Sequence, residues 1–171
     1  MLATVTGIGS GTLRDVLLGA PVFWIKNPSD VVVCISVGVA TCALGMLWQG
    51  FFSRLTLKHV LLWADAIGLA IFCIIGAGKA MQAGAHPFTA IVLGTLTASF
   101  GGIIRDILAG DVPLVLHREI YVTAAFTGAA SFTVLVLLGL PPLAASAIGI
   151  ACGFVLRALA ILRNWSLPAF R

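Results

Sequence analysis

Two stretches of this 171-residue chain join a loose backbone to fixed charge. The first is Thr6-Gly7-Ile8-Gly9-Ser10-Gly11-Thr12-Leu13-Arg14-Asp15-Val16-Leu17-Leu18-Gly19. The second is Thr97-Ala98-Ser99-Phe100-Gly101-Gly102-Ile103-Ile104-Arg105-Asp106-Ile107-Leu108-Ala109-Gly110. Thr6, Gly11, Arg14, Asp15 and Gly19 recur as Thr97, Gly102, Arg105, Asp106 and Gly110, and Pro21 and Pro113 follow the two copies. Chance readily produces apolar matches. It does not readily produce Gly-x-x-Arg-Asp-aliphatic twice, each with a glycine four residues beyond the Asp. Glycine lets another backbone or an ion come close, and Arg beside Asp handles charge in apolar surroundings. That is the chemistry of moving a solute rather than of breaking bonds. The sequence holds no Ser-His-Asp, Cys-His or paired-carboxylate pattern suited to catalysis, so an enzyme is not expected. His59, His86 and His117 are scattered in expected loops, and no metal or other cofactor is implied.

The residues singled out for a pore or substrate path are Gly7, Gly9, Gly11, Arg14, Asp15, Asp65, Gly101, Gly102, Arg105 and Asp106. Two roles stand open for the glycines: close helix packing, as Gly7-x-x-x-Gly11 would allow, and a kink on a conduction path. Gly7-x-Gly9-x-Gly11 is not a dinucleotide loop, because it lacks the preceding strand and βαβ unit which that chemistry needs. An arginine inside a bilayer costs about 2.5–3.5 kcal/mol on insertion scales, so Arg14 and Arg105 should face protein, water or headgroups. Neighbours on a helix do not face each other. Each arginine is therefore expected to pair with another span or to cap a helix end. Asp65, six residues into its span, needs a partner. Glu119 is a candidate partner for Arg105 or Arg118, and Lys79 is placed to snorkel.

The elements that must carry these residues are set by composition. The chain is 60% hydrophobic and only 9% charged, with a mean hydropathy of +1.13. A soluble domain carries about 25% charged residues, so this chain lacks the charge to coat a globule, and a lipid bilayer is the expected solvent. The net charge of +4 comes from basic residues that sit singly at the edges of apolar segments, which excludes a nucleic-acid surface and fits topology control. A span needs about 20 apolar residues, and six segments qualify: 1–18, 30–50, 60–80, 87–109, 119–139 and 142–162. Breaks fall at Gly19-Ala20-Pro21 with Pro28, at Arg54, Lys58 and His59, at Gly84 to Pro87, between Asp111 and Glu119, and at Pro141-Pro142. The excess of Lys and Arg around 54–58, at Arg118 and in the tail places both termini on the cytoplasmic side. Cys34, Cys42, Cys73 and Cys152 read as small buried hydrophobes, and Trp24, Trp48, Trp63 and Trp165 as anchors at span ends. The first residues do not resemble a signal peptide.

The repeat and the span count together set the architecture. Two spans lie between the motif helices, which are thus three crossings apart and must run in opposite directions. This makes an inverted-topology repeat, an arrangement common in transport proteins. The expected fold is an all-α polytopic membrane protein of a single membrane domain over 1–171. Residues 60–139 form a complete three-helix repeat, 1–50 a partial one lacking its first helix, and 142–162 a final extra span. On this alignment Met1 matches Val92, and the chain is expected to be a six-span version of a seven-span protein.

Four motifs carry a family resemblance. They are residues 7–19, Asp65-Ala66-x-Gly68-Leu69-Ala70-x-Phe72, Gly101-Gly102-Ile103-Ile104-Arg105-Asp106, and Val112-Pro113-Leu114-Val115-Leu116-x-Arg118-Glu119-Ile120-Tyr121. Together they resemble the prokaryotic trimeric intracellular cation (TRIC) channel family, whose bacterial members are also labelled glycine transporters. The resemblance covers nearly the whole chain, including Asn164 to Pro168. It implies two inverted three-span repeats with a last helix. It also implies a homotrimer in the bacterial inner membrane with one pore per protomer. The pore would be lined by two helices kinked at Gly9 and Gly11 and at Gly101 and Gly102. Ser10 replaces the usual middle glycine, and Phe100 sits where glycine is common. The expected function is a monovalent cation channel, with potassium as the ion. The rival is a secondary transporter for glycine or another small amino acid, because broken helices can present a helix N-terminus to a carboxylate and carbonyls to an amine.

Overall fold

The computed structural model describes residues 2–47, 54–110, 113 and 120–163. They form seven helices: α1 (Leu2–Leu17), α2 (Phe23–Lys26), α3 (Ser29–Leu47), α4 (Arg54–Gln82), α5 (Pro87–Ala109), α6 (Ile120–Leu137) and α7 (Pro142–Leu162). Six of these fall on the six expected segments. Residues 59–82 of α4, with α5, α6 and α7, are long and apolar enough to cross a membrane. The other two are shorter over the described residues. The 16 residues of α1 reach about 24 Å at ~1.5 Å per residue, against a hydrocarbon core of about 30 Å, and the apolar stretch of α3 covers Ser29–Thr41.

Two expected breaks are helical instead. α4 begins at Arg54, so Lys58 and His59 lie within it rather than in a loop; nothing between Arg54 and the apolar run stops a helix. His86 is the N-cap of α5, and its Nδ1 accepts from the backbone N–H of Phe88 at 3.3 Å. α2 occupies what reads in the sequence as a proline-rich turn between Pro21 and Pro28. The glycine four residues beyond each Arg-Asp pair has a structural explanation. Gly19 (φ 63°) and Gly110 (φ 75°) both adopt the left-handed conformation that ends a helix. Glycine adopts it without the Cβ clash that other residues meet.

The packing is that of a protein in lipid. Buried positions are mostly small, with Ala66, Ala77, Ala80, Ala90, Ala124, Ala125, Ala129 and Ala145 all at 0% exposure. The large apolar side chains face outward, including Val32, Val37 and Val39 of α3 and Leu143 of α7. In water such a surface would aggregate. In a bilayer there is no hydrophobic force pulling it inward, and helices associate by close contact of small residues. α4 packs most extensively on α5, and α6 on α7, while α1 lies along α5 and α3 along α1.

The direction of α1 against α5 can be read from individual contacts. The Thr6 carbonyl faces Gly101, while Leu13, Arg14 and Leu17 share a crevice with Leu93, Leu96 and Thr97. Rising numbers on α1 meet falling numbers on α5, so the two motif helices are antiparallel. The repeat is inverted: the α1–α3 pair answers the α5–α6 pair, and α7 is the additional helix. α1 and α5 remain helical through all their glycines, so neither helix breaks at the positions expected to kink.

Among the described residues the tightest glycine contact, at Gly94, lies outside the repeated motif. A Cβ on Gly94 would stand 2.5 Å from the Cys73 carbonyl oxygen and 3.1 Å from the Ala129 Cβ, which locks α5 against α4 and α6. A Cβ on Gly128 would meet the Gly149 carbonyl oxygen at 3.1 Å, which seats α6 on α7. Gly94→Ala is expected to cost about 1–3 kcal/mol, the usual penalty for forcing atoms into a packed core. Gly68→Ala, whose added carbon meets only the Phe72 ring at 3.9 Å, should be near neutral. Thermal unfolding in detergent micelles compares them, and equal midpoints would contradict the crossing described.

Candidate functional site

The two Arg-Asp motifs sit near the C-terminal ends of antiparallel helices, so they lie toward opposite ends of the bundle. At the α1 end, Arg14 and Asp15 are each 4% exposed. The Arg14 guanidinium grips its own neighbour: Nε donates to Asp15 Oδ1 at 2.9 Å, and a terminal nitrogen reaches the same oxygen at 2.6 Å. This corrects the expectation that adjacent residues would not pair. The helical rule describes where Cβ atoms point, and the long arginine stem carries its guanidinium round the helix end to the carboxylate. The other oxygen, Asp15 Oδ2, accepts from the backbone N–H of Phe23 at 2.9 Å. It thus satisfies a free donor at the start of α2.

α2 is strapped on by side chains as well. Trp24 Nε1 donates to Thr12 Oγ1 at 2.9 Å, so this tryptophan holds a turn rather than only marking an interface. The Phe23 ring has Lys79 Nζ 5.0 Å from its centre and the Arg14 guanidinium 6.0 Å away. Both are within cation–π reach, so Lys79 points to the bundle and does not simply snorkel. Gly11 makes room for this ring, since a Cβ there would lie 2.7 Å from it.

At the α5 end, Arg105 joins two carboxylates. Nε donates to Asp106 Oδ1 at 2.9 Å, and NH1 donates to Asp65 Oδ1 of α4 at 3.0 Å. Asp65 thereby finds its partner in another span. Gly102 allows this convergence: around its missing Cβ lie the Tyr121 hydroxyl at 3.1 Å, Arg105 NH2 at 3.6 Å and Asp65 Oδ1 at 3.6 Å. Behind Tyr121, the fully buried Arg157 of α7 sits 4.8 Å over the ring. Among the described residues, Asp65 Oδ2 and Arg105 NH2 are buried without a hydrogen-bond partner. Glu119, the other candidate partner for Arg105, lies outside the described residues, as do Arg118, His117, Trp48 and Trp165.

Two cavities run along α1 on the side that faces α4, and both touch α5 at Thr97. One, of about 310 Å³, reaches Arg14, Lys79, Asp30 and Phe23 at the α1 end. The other, of about 240 Å³, reaches Asp65, Arg105, Gly102 and Tyr121 at the α5 end. Both are lined by Gly7, Ser10, Phe72 and Thr97. The structure therefore gathers Gly7, Gly11 and Arg14 around the first cavity, and Gly7, Asp65, Gly101, Gly102 and Arg105 around the second. Gly9 does not line either: its missing Cβ would meet the Ile104 side chain at 3.1 Å. Asp15 and Asp106 hold the arginines without lining the cavities. The described residues contain no group of three or more His, Cys, Asp or Glu placed to hold a metal.

Sequence reading missed Arg157, Phe23 and Cys34. Arg157 was visible as a lone arginine within an apolar span, the same signal that singled out Arg14. Phe23 and Cys34 gave no signal, because each acts through an element packed beside it. Cys34 is half-buried and lines the first cavity, Cys73 is buried as expected, and Cys152 is half-buried.

The comparisons agree with this architecture. The glycine transporter family matches residues 1–46 and 62–137. The inner membrane protein YadS of Escherichia coli is 38% identical over 99% of this chain and 81% of its own length. A membrane protein of Vibrio cholerae is 42% identical over 99% of this chain and 70% of its own. Among solved structures, the TRIC trimeric intracellular cation channel orthologue from Rhodobacter sphaeroides superposes with a TM-score of 0.86. It is 44% identical and covers 94% of this chain and 80% of its own. A multi-pass helical bundle with an inverted repeat, a small-residue interior and these relatives is a protein of the bacterial inner membrane, and the chain belongs to the TRIC channel family, which also carries the name glycine transporter.

Proposed function

We propose that this protein is a monovalent cation channel that conducts potassium through a path within each protomer. α1 and α5 form the walls of that path, and three copies assemble in the membrane. The observation that carries the reading is the pair of cavities along α1 that share Gly7, Ser10, Phe72 and Thr97, with charged groups at their far ends. The Rhodobacter sphaeroides relative, described as a trimeric intracellular cation channel, supports both the ion class and the trimer. The electrostatics are compatible. Asp15 holds Arg14, and Asp65 with Asp106 hold Arg105, so neither arginine stands as a lone positive barrier. Rings of carboxylates and oxygen dipoles are how narrow paths favour cations.

One observation favours a second reading. Among the described residues, Asp65 Oδ2 and Arg105 NH2 find no hydrogen-bond partner, and both residues line the same cavity. Together they match the ammonium and carboxylate of a small amino acid such as glycine, which that cavity has room to hold. Purified protein in planar bilayers separates the two. The channel reading expects unitary currents that reverse at the potassium equilibrium potential. Saturable glycine uptake in vesicles, with no unitary current, would replace it with the transporter reading.

The Arg105–Asp65 pair makes a further prediction. Removing one partner of a buried pair leaves the other charge uncompensated, at a cost of about 3–5 kcal/mol, whereas removing both is far milder. Arg105→Gln alone should therefore unfold at a lower temperature in detergent than Arg105→Gln combined with Asp65→Asn. Strictly additive losses would show that the two groups are not coupled.

A further inference from the structure

The two cavities are not one tunnel of even width. Their shared lining is Gly7 and Ser10 of α1, Phe72 of α4 and Thr97 of α5. Three of these four are small. Ser10 and Thr97 are 5% and 3% exposed, and Thr97 Oγ1 donates back to the Leu93 carbonyl at 2.7 Å, which leaves its lone pairs for the path. Phe72 is the one large group at the junction, so the position of its ring sets how wide the junction is.

That ring also has room to move. Phe72 is 40% exposed, so it is not wedged in the core. One turn earlier on the same helix stands Gly68, and a Cβ there would lie 3.9 Å from the ring edge. The ring thus leans over a residue without a side chain. Aromatic closure of a narrow, weakly polar junction gates by expelling water, and a small rotation reverses it.

We propose that Phe72 is the gate between two vestibules of the path, with the Ser10 and Thr97 hydroxyls as the polar groups an ion meets at the neck. This rests on the channel reading and adds to it the residue that limits passage. The repeated motif does not mark this residue, because Phe72 stands on α4, outside both Arg-Asp copies.

Cys34 supplies a readout that does not depend on current. It lines the first cavity and not the second. A charged trimethylammonium thiosulfonate added from the second cavity's side must pass the neck to reach it. The experiment uses the full chain with Cys42, Cys73 and Cys152 replaced by Ala, reconstituted in vesicles and in planar bilayers. Phe72→Ala is expected to raise Cys34 modification from the second side about tenfold and to leave the rate from the first side unchanged. It should also raise unitary conductance severalfold. Phe72→Leu, which keeps most of the volume, serves as the gentler variant and should fall between. Currents that persist with conductance and modification rates within twofold for both variants would overturn the gate and leave the channel reading intact. Absent currents with the raised, one-sided modification would keep the neck and remove the channel reading. Absent currents with unchanged rates would overturn both.

Discussion

A guanidinium inside a lipid-facing bundle needs compensation, and the way Arg14 and Arg105 obtain it from carboxylates organises the protein. Each takes it from the aspartate next in sequence. That local solution leaves the second half of each motif free to engage another element. Asp15 turns its remaining oxygen to the start of α2. Arg105 turns another nitrogen to Asp65 on α4. The charged pairs are therefore anchors between helices, tying α1 to α2 and α5 to α4.

Between those anchors the bundle is held by the absence of side chains. With lipid outside, burying leucine gains nothing, and contact energy comes from backbones brought close together. Gly94 against Cys73, and Gly128 against Gly149, make those contacts. α1 meets α5 at Gly101, where a Cβ would stand 3.1 Å from the Thr6 carbonyl oxygen, and the space that remains lies on the α4 side of α1. Both cavities border α1 and α4, and α3 lines the first alone.

Much of this was legible in the sequence, for reasons tied to particular residues. The apolar segments predicted six helices because hydropathy at a span's length is a coarse signal with few rivals. The direction of the repeat followed from counting crossings between two Arg-Asp pairs. α2 was not legible, because its stability comes from Asp15, Thr12 and Lys79, which are distant in sequence. The pairing of Arg14 with Asp15 is not legible from helix geometry, because the rule for neighbours describes Cβ directions and not the reach of a long side chain. The sequence leaves the motif glycines open between close packing and a kink, and the structure puts Gly7 and Gly11 in close side-chain contact, while Gly94, outside the Arg-Asp motif, meets the Cys73 backbone.

The two halves are related by topology but differ in chemistry. At the α5 end the second partner of the arginine is the Asp65 carboxylate. At the α1 end the corresponding space holds the Phe23 ring, faced by Arg14 and by the Lys79 cation. α4 contributes to both ends, an acid near its start and a base near its finish, and its middle carries Phe72 at the junction of the cavities. An inverted repeat by itself would build two equal mouths. Because α4 lies along both cavities with opposite charges toward its two ends, the two differ in charge: Asp65 lines one and Lys79 the other. The asymmetry of this membrane protein thus resides in the helix that carries neither copy of the repeated motif.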